Sequence, residues 1–171
     1  AKLWDVDTPN LYDCYVVLDG KNTEDEYVQT FGFRTVELTD KGNGGNFYIN
    51  GKRVRFRSAI DWGMYRGGGQ YASLVKAKRT IESVKAIGHN ALNVHRKICL
   101  PRVMEEADRQ GVYLYEEPGG FHTNDKNLGI EDHEFAVDLM LEKVRRMVIR
   151  NRNHPSVVQV CLVNEDDDFS P

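Results

Sequence analysis

Apolar residues recur along this chain with two different periods, and the change from one to the other divides it. Residues 12–18 alternate apolar and polar in part, Asp19-Gly20 supplies a turn, and residues 27–38 carry more strand-forming side chains. These two stretches predict a strand pair. Residues 41–46 read as a linker by composition, being rich in Gly and Asn. After them Asn50-Gly51 stands between Phe47-Tyr48-Ile49 and Val54, which predicts a hairpin.

From residue 55 onward, short apolar runs alternate with helical periods. A strand is predicted over 55–62 and a helix over 73–87, with Leu74, Ala77, Ile81 and Val84 on one face and Gly88 as its stop. A second strand at 91–95 leads through Pro101, a good first-turn residue, into a helix bearing Val103, Met104 and Ala107 and ended by Gly111. A third strand at 112–115 runs into Glu116-Glu117-Pro118. The longest helix follows at 132–151, with Val137, Leu141, Val144 and Val148 at the three-four spacing. The last run, 156–163, is Val-rich and apolar on both faces, as a parallel barrel strand is.

Alternating strands and helices predict an α/β chain with four strand-helix steps, the fourth without its helix. A complete barrel of eight such steps takes about 250 residues, and this chain has 171. The expectation is the first half of a TIM (β/α)8 barrel. Carboxylates at the C-terminal ends of such strands sit where barrel enzymes do their chemistry.

The final strand is preceded by Arg152-Asn153-His154-Pro155 and followed by Asn164-Glu165. This unit resembles the acid/base signature of glycoside hydrolase family 2, which comprises β-galactosidases, β-glucuronidases and β-mannosidases. It departs from the usual form at Cys161, where the family has Trp, and at Val163, where it has Gly or Ser. A second stretch, Gly88-His89-Asn90-Ala91-Leu92-Asn93-Val94-His95-Arg96 followed by Pro101, Asp108 and Gly111, is similar to the family's other signature. Here Asn93 replaces an Arg that in the family contacts the nucleophilic carboxylate, and the His arrives one residue early. Arg96 is a candidate substitute for that Arg.

The resemblance covers essentially the whole chain and sets further expectations. Leu3-Trp4, Pro9 to Tyr12 and Phe31 to Glu37 look like the closing strands of the immunoglobulin-like sandwich that precedes the family's barrel. Residues 1–40 are therefore expected to be the C-terminal strands of that sandwich and residues 41–171 the N-terminal half of the barrel, with the 47–54 hairpin capping its floor. The resemblance implies a retaining β-glycosidase with Glu165 as catalytic acid/base and Asn164 bound to the sugar's 2-hydroxyl. The nucleophile would lie on a later strand, so the chain alone is expected to be inactive. Asp61, Trp62, His95, Glu117 and Asn93 are the other expected substrate-binding residues. Trp62 offers a face to a pyranose, and the carboxylates hold hydroxyls. The alternative is a non-catalytic carbohydrate-binding or scaffolding homologue, which the Asn93 departure favours.

Charge narrows the partners. With 23 Lys and Arg against 26 Asp and Glu, a net charge of −3 and no basic stripe, nucleic acid is not an expected partner. No run approaches the roughly 20 apolar residues of a membrane span, and the first residues lack the layout of a secretory signal. Three widely spaced cysteines, Cys14, Cys99 and Cys161, fit neither a disulfide framework nor a zinc site. Asp166-Asp167-Asp168 lack the alternate spacing of a calcium loop, and Gly67 to Gly69 form no phosphate cradle. No metal or cofactor is expected. A half barrel leaves an open sheet and bare apolar faces, so self-association is.

Overall fold

The computed structural model describes residues 1–21, 23–39, 42, 44–63, 69, 71–119 and 133–162, with only the backbone of residue 133. Two antiparallel strands open the chain: β1 (Tyr12–Gly20) pairs along its whole length with β2 (Thr23–Phe31). A three-stranded antiparallel sheet follows, in the order β3 (Val36–Thr39), β4 (Asn46–Ile49), β5 (Lys52–Val54). A four-stranded parallel sheet then runs β6 (Ser58–Asp61), β7 (Ala91–Val94), β8 (Tyr113–Glu116), β9 (Val157–Val160). Between its strands lie α1 (Leu74–Ala86), α2 (Pro101–Gln110) and α3 (His133–Asn151).

The helices begin and end on local signals. Ser73 caps α1 by accepting a hydrogen bond from the backbone N–H of Lys76. Pro101 opens α2, and Gly111 ends it in the left-handed conformation at φ 76°. The hairpin between β4 and β5 turns through Asn50 (φ 52°) and Gly51 (φ 73°), both left-handed as a two-residue turn of this type requires.

Alternation along the parallel strands makes two layers. On the outer side Leu92, Val94 and Leu114 meet Ala77, Ile81 and Val84 of α1 and Val103, Met104 and Ala107 of α2. On the inner side Ala91 and Tyr113 meet Trp4 and Ile49, with Val54, Phe56 and Val158 packed against them. Trp4 is wholly buried, and its ring stands edge-on to Tyr113 at 5.8 Å. The N-terminal segment and the β4-β5 hairpin thus plug the barrel floor, and packing there is aromatic: Phe56 meets Phe47 at 5.2 Å and Tyr113 at 5.6 Å.

Three expectations need correction. The stretch 27–38 is not one strand, because the chain breaks between β2 and β3. There Gly32 lies so close to Pro155 that a Cβ would meet its ring at 2.7 Å, and Arg34 donates to the carbonyls of Pro155 and Val157. The first barrel strand is four residues long rather than 55–62, since residues 55–57 are spent bridging to Asn90, whose side chain accepts from Arg57 N–H and donates to Arg55 C=O. On α3 the buried positions are Ala136, Met147 and Asn151. Of the predicted stripe, Val137, Leu141 and Val148 face outward, with Leu141 62 % exposed, while Val144 is half-buried. α3 carries apolar residues around most of its circumference, so periodicity alone does not choose the face; on α1 likewise Leu74 is exposed while Ala77, Ile81 and Val84 are buried.

Candidate active site

The C-terminal ends of β6, β7 and β8 gather most of the expected site residues. His95 follows β7, and its backbone N–H donates to Asp61 C=O at 3.0 Å, carrying the parallel ladder one step past the strands. The Asp61 carboxylate accepts from Gly63 N–H at 2.7 Å, which folds the chain sharply after β6 and presents Trp62 beside His95. Those two rings stand edge to face with centroids 4.7 Å apart. The guanidinium of Arg96 lies over the Trp62 ring, 5.2 Å from its centroid, a cation-π arrangement. Trp62 remains 56 % exposed at the rim.

Glu117 organises this group from beneath. It is 4 % exposed, one of its oxygens lies 3.1 Å from His95 Nδ1, and the other accepts from Arg96 N–H at 2.6 Å. Arg96 holds a left-handed backbone, φ 58°, uncommon for a residue other than Gly. The Glu117 hydrogen bond to the Arg96 N–H lies at that turn.

Asn93 lies within β7 and, by the alternation that turns Ala91 inward, faces the barrel interior. Its Oδ1 is buried without a hydrogen-bond partner. A buried acceptor left in that state costs about 1–3 kcal/mol, so this position calls for a donor. Asn164 and Glu165, with Val163 before them, lie outside the described residues, as do Asp166 to Asp168 and Gly67 to Gly68. β9 is the strand that leads to Asn164-Glu165, and it is paired to β8, with Cys161 N–H donating to Glu116 C=O at 2.9 Å.

Glu116 points the other way from Glu117, as adjacent strand residues do. It is 1 % exposed, and its carboxylate accepts from Asn151 Nδ2 at 2.6 Å and from Cys99 N–H at 3.2 Å. Burial pushes its pKa above the usual carboxylate value, against the pull of those hydrogen bonds and of Arg150. Burial likewise pushes the Cys99 thiol far up, so it is no nucleophile. The dipeptide Glu116-Glu117 did not by itself separate an outward, structural carboxylate from an inward one; the alternation from Tyr113 could have done so.

The two signature stretches also meet at the opposite end of the sheet. Asp108 accepts from His154 Nδ1 at 2.6 Å and from Ser156 N–H at 3.0 Å, and its C=O accepts from Trp4 Nε1 at 2.8 Å. The Asn-His-Pro-Ser lead-in is thus floor structure, a strand length away from the site. A cleft of about 360 Å3 opens at this floor, between Asp5, Asp7, Arg53, Arg55 and Arg57, and is remote from the gathered side chains. Among the described residues no group of three or more His, Cys, Asp or Glu could hold a metal ion, and no helix is long and apolar enough to cross a membrane.

The described strands thus form a parallel half barrel with carboxylates, an imidazole and an exposed Trp at its strand ends. Residues 36–169 match the family model for glycosyl hydrolases family 2, TIM barrel domain, and residues 1–34 match the model for glycosyl hydrolases family 2. The chain belongs to glycoside hydrolase family 2. It is 31 % identical over 173 residues to a β-galactosidase of Thermoanaerobacterium thermosulfurigenes, covering 98 % of this chain and 22 % of that protein. It is 30 % identical over 167 residues to a β-galactosidase of Enterobacter cloacae, covering 95 % and 16 %. Among solved structures, a β-D-glucuronidase of Dictyoglomus thermophilum superposes with a TM-score of 0.84 at 25 % identity, covering 99 % of this chain and 30 % of that one. The chain thus spans about a fifth of the length of the curated relatives it matches.

Proposed function

We propose that this chain is part of a retaining β-glycosidase that hydrolyses terminal β-linked sugars, supplying the acid/base while a later barrel strand of a longer protein supplies the nucleophile. One observation carries the reading: in the sequence Asn164-Glu165 follow β9 after three intervening residues, and β9 is the strand paired to β8 in the same parallel sheet whose ends already gather Asp61, Trp62, His95 and Glu117. In this reading Glu165 protonates the leaving oxygen, a carboxylate about 5–5.5 Å across the site attacks the anomeric carbon, and Glu165 then deprotonates water. A partly desolvated strand end raises the pKa of such an acid. Asn164 holds the 2-hydroxyl, an interaction that strengthens as positive charge develops on the sugar.

Asp61, Trp62, His95, Glu117 and Asn93 line the rest of the half pocket. Because Arg96 covers one face of Trp62, a pyranose stacks on the surface that remains exposed. Residues 1–40 are the end of a sandwich domain and 41–171 the first half of the barrel. The isolated chain is inactive and self-associates, and its hold on a monosaccharide is millimolar or weaker, about −4 kcal/mol. The test is hydrolysis of aryl β-glycosides by the longer protein, with the anomer first released read by NMR: the β-anomer supports a retaining enzyme, the α-anomer rejects it.

A second reading, a non-catalytic carbohydrate-binding or scaffolding homologue, is favoured by one observation, Asn93 at the place of the family's Arg. Sugar binding by the longer protein without any hydrolysis would establish it.

A further inference from the structure

Two hydrogen-bond acceptors on β7 and the turn after it lack donors. Asn93 Oδ1 is buried and unpartnered. His95 differs, because it is partly open to solvent: Nδ1 is engaged by Glu117, while Nε2 has no hydrogen-bond partner among the described residues. The side chain of His95 keeps 12 % of its surface open. Being two residues apart, Asn93 and His95 look out from the same side of the strand.

The state of that imidazole follows from its partner. A carboxylate accepts and does not donate, and the second oxygen of Glu117 is already taken by Arg96 N–H. The 3.1 Å contact between Nδ1 and Glu117 therefore requires the proton on Nδ1, and which ring nitrogen carries the proton is set by the bond the other makes. In the neutral ring Nε2 is then left with a lone pair directed away from the clasp. The same carboxylate holds Arg96 in its left-handed turn and so keeps the guanidinium on Trp62, which bounds His95 from the other side.

We propose that Glu117 is a positioning residue: it fixes His95 as the Nδ1–H tautomer, so that Nε2 accepts a hydrogen bond from a hydroxyl of the bound sugar. Only the identity of the donor rests on the glycosidase reading; the tautomer does not. Ligands that present a hydroxyl at this point are selected over those that present an acceptor or nothing, because an acceptor facing Nε2 would leave both groups unpaired.

Long-range proton-nitrogen NMR of the labelled chain, with His95 identified by the signal lost in His95→Gln, reads the tautomer directly. The expected spectrum has a protonated Nδ1 and an unprotonated Nε2. Glu117→Ala is expected to move the proton to Nε2, the form free histidine prefers, whereas Glu117→Gln, which keeps a carbonyl acceptor, retains the wild-type form. A wild-type ring protonated at Nε2 overturns the proposal, and so does an unchanged tautomer in a Glu117→Ala chain whose backbone spectrum is intact. Where Glu117→Ala does not fold, the wild-type spectrum and Glu117→Gln decide. In the longer protein, Glu117→Ala should lower kcat/KM about 2- to 10-fold on an intact sugar, the worth of one hydrogen bond. It should cost far less on the one deoxy sugar that lacks the donor; an equal loss on every deoxy sugar rejects the role. Failure of the wild-type protein to cleave any β-glycoside would instead strike the glycosidase reading and leave the tautomer standing.

Discussion

Asp108 and His154 are joined at 2.6 Å on the barrel floor, so the two stretches that carry the family resemblance touch at the end of the sheet away from Trp62 and His95. Asp108 ends α2's buried face, His154 precedes β9, and Trp4 of the N-terminal segment donates to the Asp108 carbonyl. Arg34 adds a fourth strut. Its guanidinium is half-buried and its pKa is lowered by that burial, with Asp108 pulling it back up.

Removing Asp108 should therefore act on stability. Asp108→Ala leaves His154 and Ser156 N–H without their acceptor, and leaving a buried donor unsatisfied costs about 1–3 kcal/mol. Urea unfolding of the chain checks this; a loss under about 1 kcal/mol would mean that water replaces the carboxylate.

Two left-handed glycines should respond very differently to alanine. At Gly88 a Cβ meets nothing within 4 Å, so Gly88→Ala should cost only the conformational penalty, about 1–2 kcal/mol. At Gly111 the Cβ would sit 2.1 Å from the backbone oxygen of Val6, and Gly111→Ala must also push the N-terminal segment off the floor. Paired denaturation curves should show the larger loss at Gly111; equal losses would show that the segment of Val6 gives way freely.

Glu116 predicts a dependence of stability on pH. Its folded pKa is raised by burial above the usual value, so between those two values the folded state binds more protons than the unfolded one. Stability then falls as pH rises through that window and is flat beyond it. Glu116→Gln removes the titration and should flatten this part of the curve, at the cost of one donor facing Asn151 Nδ2. Denaturant midpoints across the acid-to-neutral range read both effects, and a variant curve parallel to wild type would exclude Glu116 as the source.

In the longer protein, Glu165→Ala should slow cleavage of natural glycosides by about 100-fold or more, the usual worth of a general acid. Aryl glycosides with very acidic leaving groups need little protonation and should lose much less in the glycosylation step. Equal loss on both substrate types would take the acid role away from Glu165.

The isolated chain should self-associate. α3 exposes Phe135, Val137, Leu139, Leu141, Val148 and Ile149, and β6 and β9 are the two edges of the parallel sheet. Bare apolar faces and unpaired edges recruit another chain, most simply a two-fold copy. Sedimentation over a dilution series checks it: a species that stays monomeric at every concentration would show that these faces are tolerated in water.

The order of elements and most of their ends can be read from the residues alone, because these depend on local chemistry. Ser73, Pro101, Gly111 and Asn50-Gly51 act through their own backbone and nearest neighbours, and each ends or turns the chain where its residue type demands. The gathering of Asp61, Trp62, His95 and Glu117 at one end was also legible once the runs were read as parallel strands. Choices between equivalent local options were left to long-range packing. α3 is apolar on several sides, and contact with the sheet selected Met147 and Asn151 over Leu141 and Val148. His154 and His95 are both histidines near strand ends, yet one closes the floor on Asp108 and the other stands at the pocket on Glu117. Glu116 and Glu117 are adjacent and alike, and the layer each faces, helix or barrel interior, made one a buried strut and the other the clasp of the site. These outcomes depend on partners 22 to 46 residues away along the chain, and no local pattern encodes which of two faces such a partner will meet.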